Sequence, residues 1–367
     1  MLITRLEARD FRLFGSLGLD AHPHFNLIVG DNGAGKTSLL EALHVLGRGG
    51  SWRAAAPQLA RDGTQAWQVA GEIADASGAP PERLKLSWQD QEIRIEFGQA
   101  GMALSELVRQ LPLQILDPGM HRMLEEGPGI RRRFLDWGLF HVEHQFMPAW
   151  KRARRALRQR NVVLREGGSP RLLAPWNHEL AESAEQLSTL RLAHAKEVEA
   201  RSQLLLAGLL PGERWQLRYS RGWDAERTYL EVLEAGAERD RRHGQTMSGP
   251  QRAELRFYTA HDGGGEGADQ AVKGRISRGQ QKLVVVAFAL AQCWIVAERG
   301  GRVPVLLLDD FSAELSAEFQ RRLLQALLAY PGQKFVTALE RPEAMDRTLD
   351  GSMFHVEHGA LRALAKE

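Results

Sequence analysis

The chain has 367 residues, enough to bury a large core and to form two domains. Hydrophobic residues make up 43% and charged residues 26%, which excludes global disorder. With 48 Lys and Arg against 46 Asp and Glu the formal charge is +2, so any nucleic-acid binding needs a local basic surface.

The single cysteine, Cys293, excludes an intramolecular disulfide framework and a multi-cysteine zinc site, and it fits a reducing compartment. The opening MLITRLEARDF lacks the apolar run of a secretory signal. Leu283 to Ala297 is the most apolar stretch, but Gln292 breaks it and it is short of the ~20 residues that cross a bilayer. A buried helix in a cytoplasmic protein, with no membrane, is the expectation.

In chain order, LITRLEA alternates as a strand does, and Phe25–Gly30 reads as a short buried strand entering a glycine turn. TSLLEALHVLG after Lys36 has helical spacing and is expected to stop at Gly47. WQVAGEI, LKLSW and IRIEF, with turn residues at 77–81, predict a small antiparallel sheet. From about Gly129 to Gly208 the pattern is helical: IRRRFLDWGLF, PAWKRARRALRQRNVVLRE, then a long stretch from about Pro175 to Leu210, with GGSP at 167–170 as a break. RWQLRYS returns to strand, and Asp262–Gly267 is a glycine-rich loop. The end is α/β: a helix from about Gly279, strand VPVLLLDD, helix SAEFQRRLLQALLA, strand KFVTAL and a hairpin over MFHVEHGALRAL. FHVEH occurs at 140–144 and 354–358; a metal reading pairs His141 with His144 or His355 with His358, but chance recurrence explains it better without HExxH spacing.

Three motifs carry chemistry. GDNGAGKT (Gly30, Asp31, Asn32, Gly33, Ala34, Gly35, Lys36, Thr37) fits G-x-x-x-x-G-K-[ST] between a strand and a helix. Its amides and the helix N-terminus cradle phosphates, Lys36 reaches the β/γ-phosphates, and Thr37 binds Mg²⁺. VPVLLLDD is the apolar strand ending in acid that such a site needs: Asp309 for Mg²⁺, Asp310 to polarise the attacking water. ISRGQQK (276–282) contains S-x-G-Q before an apolar helix, where Ser277 is otherwise a plain N-cap. This form resembles the signature of the ABC ATPases, in which the serine and glycine close over a γ-phosphate held by another subunit; Ser277, Gly279 and Gln280 are the matching residues.

A transporter head has a shorter interval between these motifs, and an SMC head a far longer heptad insertion. The roughly 240 residues from Thr37 to Ser277 suit neither. The chain resembles the RecF family of recombinational repair proteins. LEARDFRLF (6–14), LGRGGSWR (46–53, with an extra glycine), EEGPGIRRRFLDWGLFH (125–141), AWKRARRALRQRNVVLR (149–165) and TMSGPQRAELRF (246–257, with Gln251 for a histidine) carry the resemblance.

The resemblance implies an α/β ABC-type ATPase head with an antiparallel β subdomain and an inserted, mostly helical lobe. Expected boundaries are 1–118, 119–297 and 298–367. It implies ATP and Mg²⁺, a head-to-tail homodimer formed with ATP, and slow hydrolysis, since Asp310 stands where many ABC ATPases have glutamate. Thr337 takes the usual switch-histidine position, and Ser316 replaces an aspartate. The implied role is in DNA replication, repair and the SOS response: binding duplex DNA near single-strand gaps or stalled forks, with RecR as partner and RecO and RecA reached through it. An effector ATPase of a defence module is the alternative.

Gln114 is a candidate Q-loop residue linking the lobes through Mg²⁺ or water, against a solvated turn glutamine. Arg12 and Arg48 are candidates for nucleotide phosphate or base, against plain surface arginines. Basic residues gather at Arg131, Arg132 and Arg133 and again from Lys151 to Arg160. Lys151, Arg155 and Arg158 share a helix face at i, i+4, i+7 that could track DNA phosphates. The alternative is a solvated face neutralised by neighbouring acids. No helix-turn-helix, zinc or RNP signature predicts base-specific readout.

Overall fold

The computed structural model describes residues 1–75, 79–261, 270–271, 276–345 and 349–364. The expected glycine-rich loop Asp262–Gly267 lies outside them. The chain divides into two compact units, Met1–Met120 with Arg278–Glu367, and His121–Ser277. The second boundary thus falls at 277/278 and not at the expected 297/298. The apolar helix Arg278–Arg299 packs on strand Leu113–Leu116 and helix Ala317–Ala329, so it belongs to the flanking unit.

The first unit contains two six-stranded sheets. One is antiparallel, in the order Phe14–Asp20, Leu2–Phe11, Trp67–Ala74, Glu82–Gln89, Glu92–Phe97, Ala100–Gly101. The other runs Ala360–Leu364, Gly351–Glu357, Phe25–Val29, Lys334–Ala338, Val305–Leu308, Leu113–Leu116, parallel except for the hairpin strand Ala360–Leu364 at its edge. Helix Lys36–Arg48 shares a single core with both sheets, its Leu39, Leu43 and Leu46 belonging to one cluster with Leu6 and Val69 of the antiparallel sheet and Ile28 and Phe335 of the parallel one. That burial on two faces explains why its sequence is apolar around much of its circumference. The helix ends at Arg48, with Gly49 in the left-handed conformation (φ +71), two residues past the expected stop at Gly47.

Buried Gln333 ties the two sheets together by imitating a backbone rung. Its Oε1 accepts from Ile3 N at 2.9 Å, and its Nε2 donates to the carbonyls of Ile3 (2.8 Å) and His22 (2.9 Å). Every polar atom of the buried amide is thereby satisfied.

The second unit is built on helices Pro128–Val142, Phe146–Arg165 and Pro170–Leu209, with short helices Tyr229–Ala235 and Ala237–His243 and a three-stranded antiparallel sheet. Strand Glu213–Ser220 pairs with Glu254–His261 in that sheet. Arg160 lies at the centre of the unit, fully buried. Its guanidinium donates to Asn177 Oδ1 (2.7 Å), Asp240 Oδ2 (2.8 Å), Thr246 Oγ1 (2.7 Å) and the Leu233 carbonyl (3.3 Å). Asn177 and the stretch from Leu233 to Thr246 are thereby fixed to one charge. The two FHVEH copies adopt different backbones: the first closes helix Pro128–Val142, and the second lies in strand Gly351–Glu357. The repeated sequence therefore builds no repeated site.

Candidate nucleotide-binding site

Strand Phe25–Val29 is buried along its whole length, which fixes where the chain leaves the parallel sheet. Gly30 follows with φ +151, and a Cβ there would come within 2.2 Å of the Val356 carbonyl oxygen. Only glycine fits, and the backbone curls through 31–35 into helix Lys36–Arg48. No side chain caps the helix N-terminus, where Gly35 occupies the cap position. Its unpaired first amides and positive dipole end therefore remain available to an anion.

Strand Lys334–Ala338 separates the phosphate-loop strand from the acid strand Val305–Leu308. Three adjacent strands thus deliver Lys36 and Thr37, Thr337, and the Asp309–Asp310 pair to the same edge. Together with Asp31, Asn32, Gly33, Gly35, Ser38, Pro118 and others they line a cavity of about 370 Å³. Thr37 Oγ1 lies 2.9 Å from Asp309 Oδ2. Thr337 Oγ1 donates to Asp309 Oδ1 (2.7 Å) and accepts the amide of Asp310 (2.8 Å). Lys36 Nζ donates to the carbonyls of Gly30 (2.6 Å) and Asp31 (2.9 Å). Burial lowers the Lys36 pKa, while the charges of Asp310, Asp309 and Asp31 pull it back upward.

A carboxylate and a hydroxyl in contact at the end of a P-loop form a hard oxygen donor set. That set fits Mg²⁺, which takes one or two protein oxygens and completes its octahedron with water and phosphate. Asp310 sits next to it with φ +58, a conformation that a non-glycine residue rarely adopts.

Several expected residues lie elsewhere. Gln114 does not line the cavity: it stands level with Leu306, two residues short of the strand end, and its amide donates to the Ile115 carbonyl (3.1 Å). Arg12 is held by the buried Glu41 carboxylate through two 2.8 Å bonds, so its charge is already matched. Arg48 lies away from the cavity in the last turn of its helix, where burial pulls its pKa down to about 10. Arg53, in the same LGRGGSWR segment, lines the cavity instead. Ser51 Oγ accepts the Arg53 amide at 2.9 Å and donates to Glu41. Leu13 and Leu339, both exposed, also line it. The sequence signalled Arg53 only by its place in that segment, where nothing distinguished it from Arg48.

Ser277, Gly279 and Gln280 are not among the residues lining this cavity. Ser277 is exposed at the end of the second unit, and Gly279 is buried against the Glu314 carbonyl. Ser316 caps helix Ala317–Ala329, accepting the Phe319 amide at 3.3 Å, which is what a serine does in place of the expected aspartate.

In the second unit the basic residues separate by burial. Arg131 is a correction to the expected phosphate-binding set: it is 8% exposed, grips Glu254 through bonds of 2.8 and 2.9 Å, and donates to the carbonyls of Met123 and Glu126. Its charge holds the fold. Arg132 is half-buried and donates to the Ala253 carbonyl at 2.7 Å. Arg152 is paired with Glu179 and Glu182, as a neutralised face would have it. Lys151, Arg155 and Arg158 are exposed on helix Phe146–Arg165, as is Arg154, whose guanidinium stands 4.9 Å from the Trp150 ring centroid.

A family model described as the RecF/RecN/SMC N terminal domain matches residues 2–360. A protein of Chromohalobacter salexigens named DNA replication and repair protein RecF is 41% identical over 98% of this chain and 99% of its own. One of the same name from Stenotrophomonas maltophilia is 40% identical over 99% of this chain and 100% of its own. A solved structure of the recombination mediator protein RecF-ATP superposes with a TM-score of 0.85 at 22% identity, over 99% of this chain and 98% of that one. An Smc head domain from Pyrococcus furiosus superposes at 0.62 and 15% identity, over 99% and 96%. These two likenesses show the fold.

Proposed function

This chain belongs to the RecF family, within the RecF/RecN/SMC ATPases, and from that premise we propose that it is an ATP-gated DNA-binding protein of recombinational repair. The observation that carries the reading is the meeting of Thr37, Asp309, Thr337 and Asp310 at one edge of the parallel sheet. The relatives named for DNA replication and repair support the biological role.

In this reading the amides of 33–37 and Lys36 bind the phosphates of ATP, Lys36 exchanging its two carbonyl partners for phosphate oxygens. Thr37 and Asp309 hold Mg²⁺, which neutralises phosphate charge when bound. Asp310 orients and polarises the attacking water. Its carboxylate is one methylene shorter than a glutamate's, so hydrolysis is slow and serves to reset the protein.

Ser277, Gly279 and Gln280 cap the nucleotide of a second copy in a head-to-tail dimer. ATP then favours one assembly state over the other, which suffices for a switch. The dimer holds duplex DNA beside single-strand gaps or stalled forks with little sequence preference, using backbone contacts from Lys151, Arg155 and Arg158 and, partly, Arg132. RecR is the expected direct partner, with RecO and the loading of RecA downstream.

Affinity for a fluorescent gapped duplex, measured at fixed salt with ATP, ADP or neither, tests the proposal. Tightening with ATP alone, lost in Ser277→Arg, is the expected result. Weak binding indifferent to nucleotide would leave an ATPase head without the repair role.

A further inference from the structure

Lys282 lies in the second turn of helix Arg278–Arg299 and is 6% exposed, with no carboxylate among its hydrogen-bond partners in the described residues. Its three donors go to three backbone carbonyls: Asp310 (2.5 Å), Phe311 (3.2 Å) and Ala313 (3.0 Å). A buried ammonium that satisfies every proton on one short loop defines the path of that loop. Burial brings the lysine down to about 8, against the charges of Asp310, Glu314 and Asp309, which raise it. Its positive charge is therefore retained at neutral pH in a place that opposes it.

The segment it holds is itself unusual. Asp310 (φ +58) and Glu314 (φ +64) both adopt the left-handed conformation without being glycine. Such residues persist where the surroundings over-determine them. From the strand side, Thr337 supplies two of the constraints: its hydroxyl accepts the Asp310 amide, and its carbonyl accepts the Phe311 amide at 2.8 Å. From the helix side, Gly279 lies so close to the segment that a Cβ would stand 2.7 Å from the Glu314 carbonyl oxygen. The first two turns of helix Arg278–Arg299 and the turn 310–314 therefore pack as one piece.

The geometry points to Lys282 as a positioning residue that fixes the Asp310 carboxylate in its own chain from the helix bearing Gly279 and Gln280. This deepens the ATPase reading and rests on Asp310 as the residue that polarises water. A displacement of the helix start is carried to the acid turn through these three hydrogen bonds, so contact with a second copy and hydrolysis in the same chain are mechanically linked.

Lys282→Met tests the assignment, with a fluorescent ATP analogue for affinity, steady-state turnover at saturating ATP, and amide hydrogen exchange over 309–316. Expected are an ATP dissociation constant within about threefold of wild type, turnover lowered about tenfold or more, and faster exchange at 310–316 with the phosphate loop unchanged. Lys282→Arg, which keeps the charge and the donors, is expected to recover part of both turnover and protection, and it stands as the informative variant where Lys282→Met fails to fold. Unchanged exchange or unchanged turnover in a folded Lys282→Met would overturn the proposal, and where Lys282→Met does not fold, so would a folded Lys282→Arg whose exchange over 310–316 rises while its turnover stays at wild type. Asp310→Asn separates the two ideas. Wild-type turnover in that variant would remove the role of Asp310, while the exchange measurement would still judge whether Lys282 holds the turn.

Discussion

The hydroxyl of Thr337 donates to Asp309 at 2.7 Å from a strand that is buried throughout, so one side chain of the middle strand sets the carboxylate of its neighbour. The same oxygen takes the amide of Asp310. Thr337 thus orients both acids, and this defines its part in the site without a titrating ring.

Replacing it tests that part. Thr337→Val keeps the shape but leaves a buried amide without its acceptor, which costs about 1–3 kcal/mol. We expect the urea midpoint to fall accordingly and saturating turnover to drop about tenfold, with ATP affinity within about threefold. Thr337→Ser should restore most of both. A valine variant with wild-type turnover would show that Asp310 is set by other contacts.

Arg160 and Arg158 are two residues apart with opposite fates. Arg160→Ala leaves the buried Asp240 with only the longer 3.5 Å contact to Arg239 as a cationic partner, and removal of one partner of such a buried pair costs about 3–5 kcal/mol. Arg158→Gln, on the exposed face, should stay within about 0.5 kcal/mol of wild type. Denaturant unfolding of the two variants side by side is the measurement, and equal costs would contradict the buried network.

Lys151→Gln, Arg155→Gln and Arg158→Gln combined should weaken binding to any duplex sequence about equally. Every phosphate that is no longer neutralised lowers the slope of log affinity against log salt by about 0.9, so the triple variant should show a slope shallower by about 2–3. An unchanged slope would place the DNA on another surface. Arg131→Gln, by contrast, should report mainly on stability, because Arg131 is bound to Glu254.

His44 supplies a pH signature. Burial is the main cause that lowers its pKa from 6.5 to about 4, with Arg48 adding to it; its Nδ1 lies 2.7 Å from the Gly50 carbonyl oxygen. Between those values the unfolded chain binds a proton that the native one refuses. Stability from this group is therefore complete above about pH 6.5 and is lost as pH falls toward 4, by roughly 3 kcal/mol at about 1.4 kcal/mol per unit. Unfolding at pH 7, 5.5 and 4.5 should show wild type losing more stability than His44→Gln over that window. Parallel losses would mean that the ring is solvated.

Much of this was legible because the signals were local. A glycine loop between a strand and a helix, and an apolar strand ending in two acids, declare their chemistry within eight residues. The helices 128–142 and 146–165 were likewise written in their spacing. What stayed hidden depends on pairing across the chain. Nothing near Arg131 reveals Glu254, and nothing in LPLQILDP shows that Gln114 stands two residues short of the strand end. Arg53 and Arg48 look alike in sequence; in the fold Arg53, its amide held by Ser51 and Ser51 by Glu41, lines the cavity and Arg48 does not. The FHVEH copies make the same point, since one pentapeptide serves helix and strand according to its surroundings.

The strand that carries the phosphate loop is flanked on both sides by strands from the last tenth of the chain, Lys334–Ala338 and Gly351–Glu357. During synthesis it therefore waits. The unit His121–Ser277 has all its own residues while 278–367 are still to be made, which at 5–20 residues per second is roughly 5–20 s. Through that interval the phosphate loop has neither neighbour, and Thr37 has no Asp309 to meet. A nascent chain can complete its helical insert before the phosphate-loop strand has gained either of its neighbours.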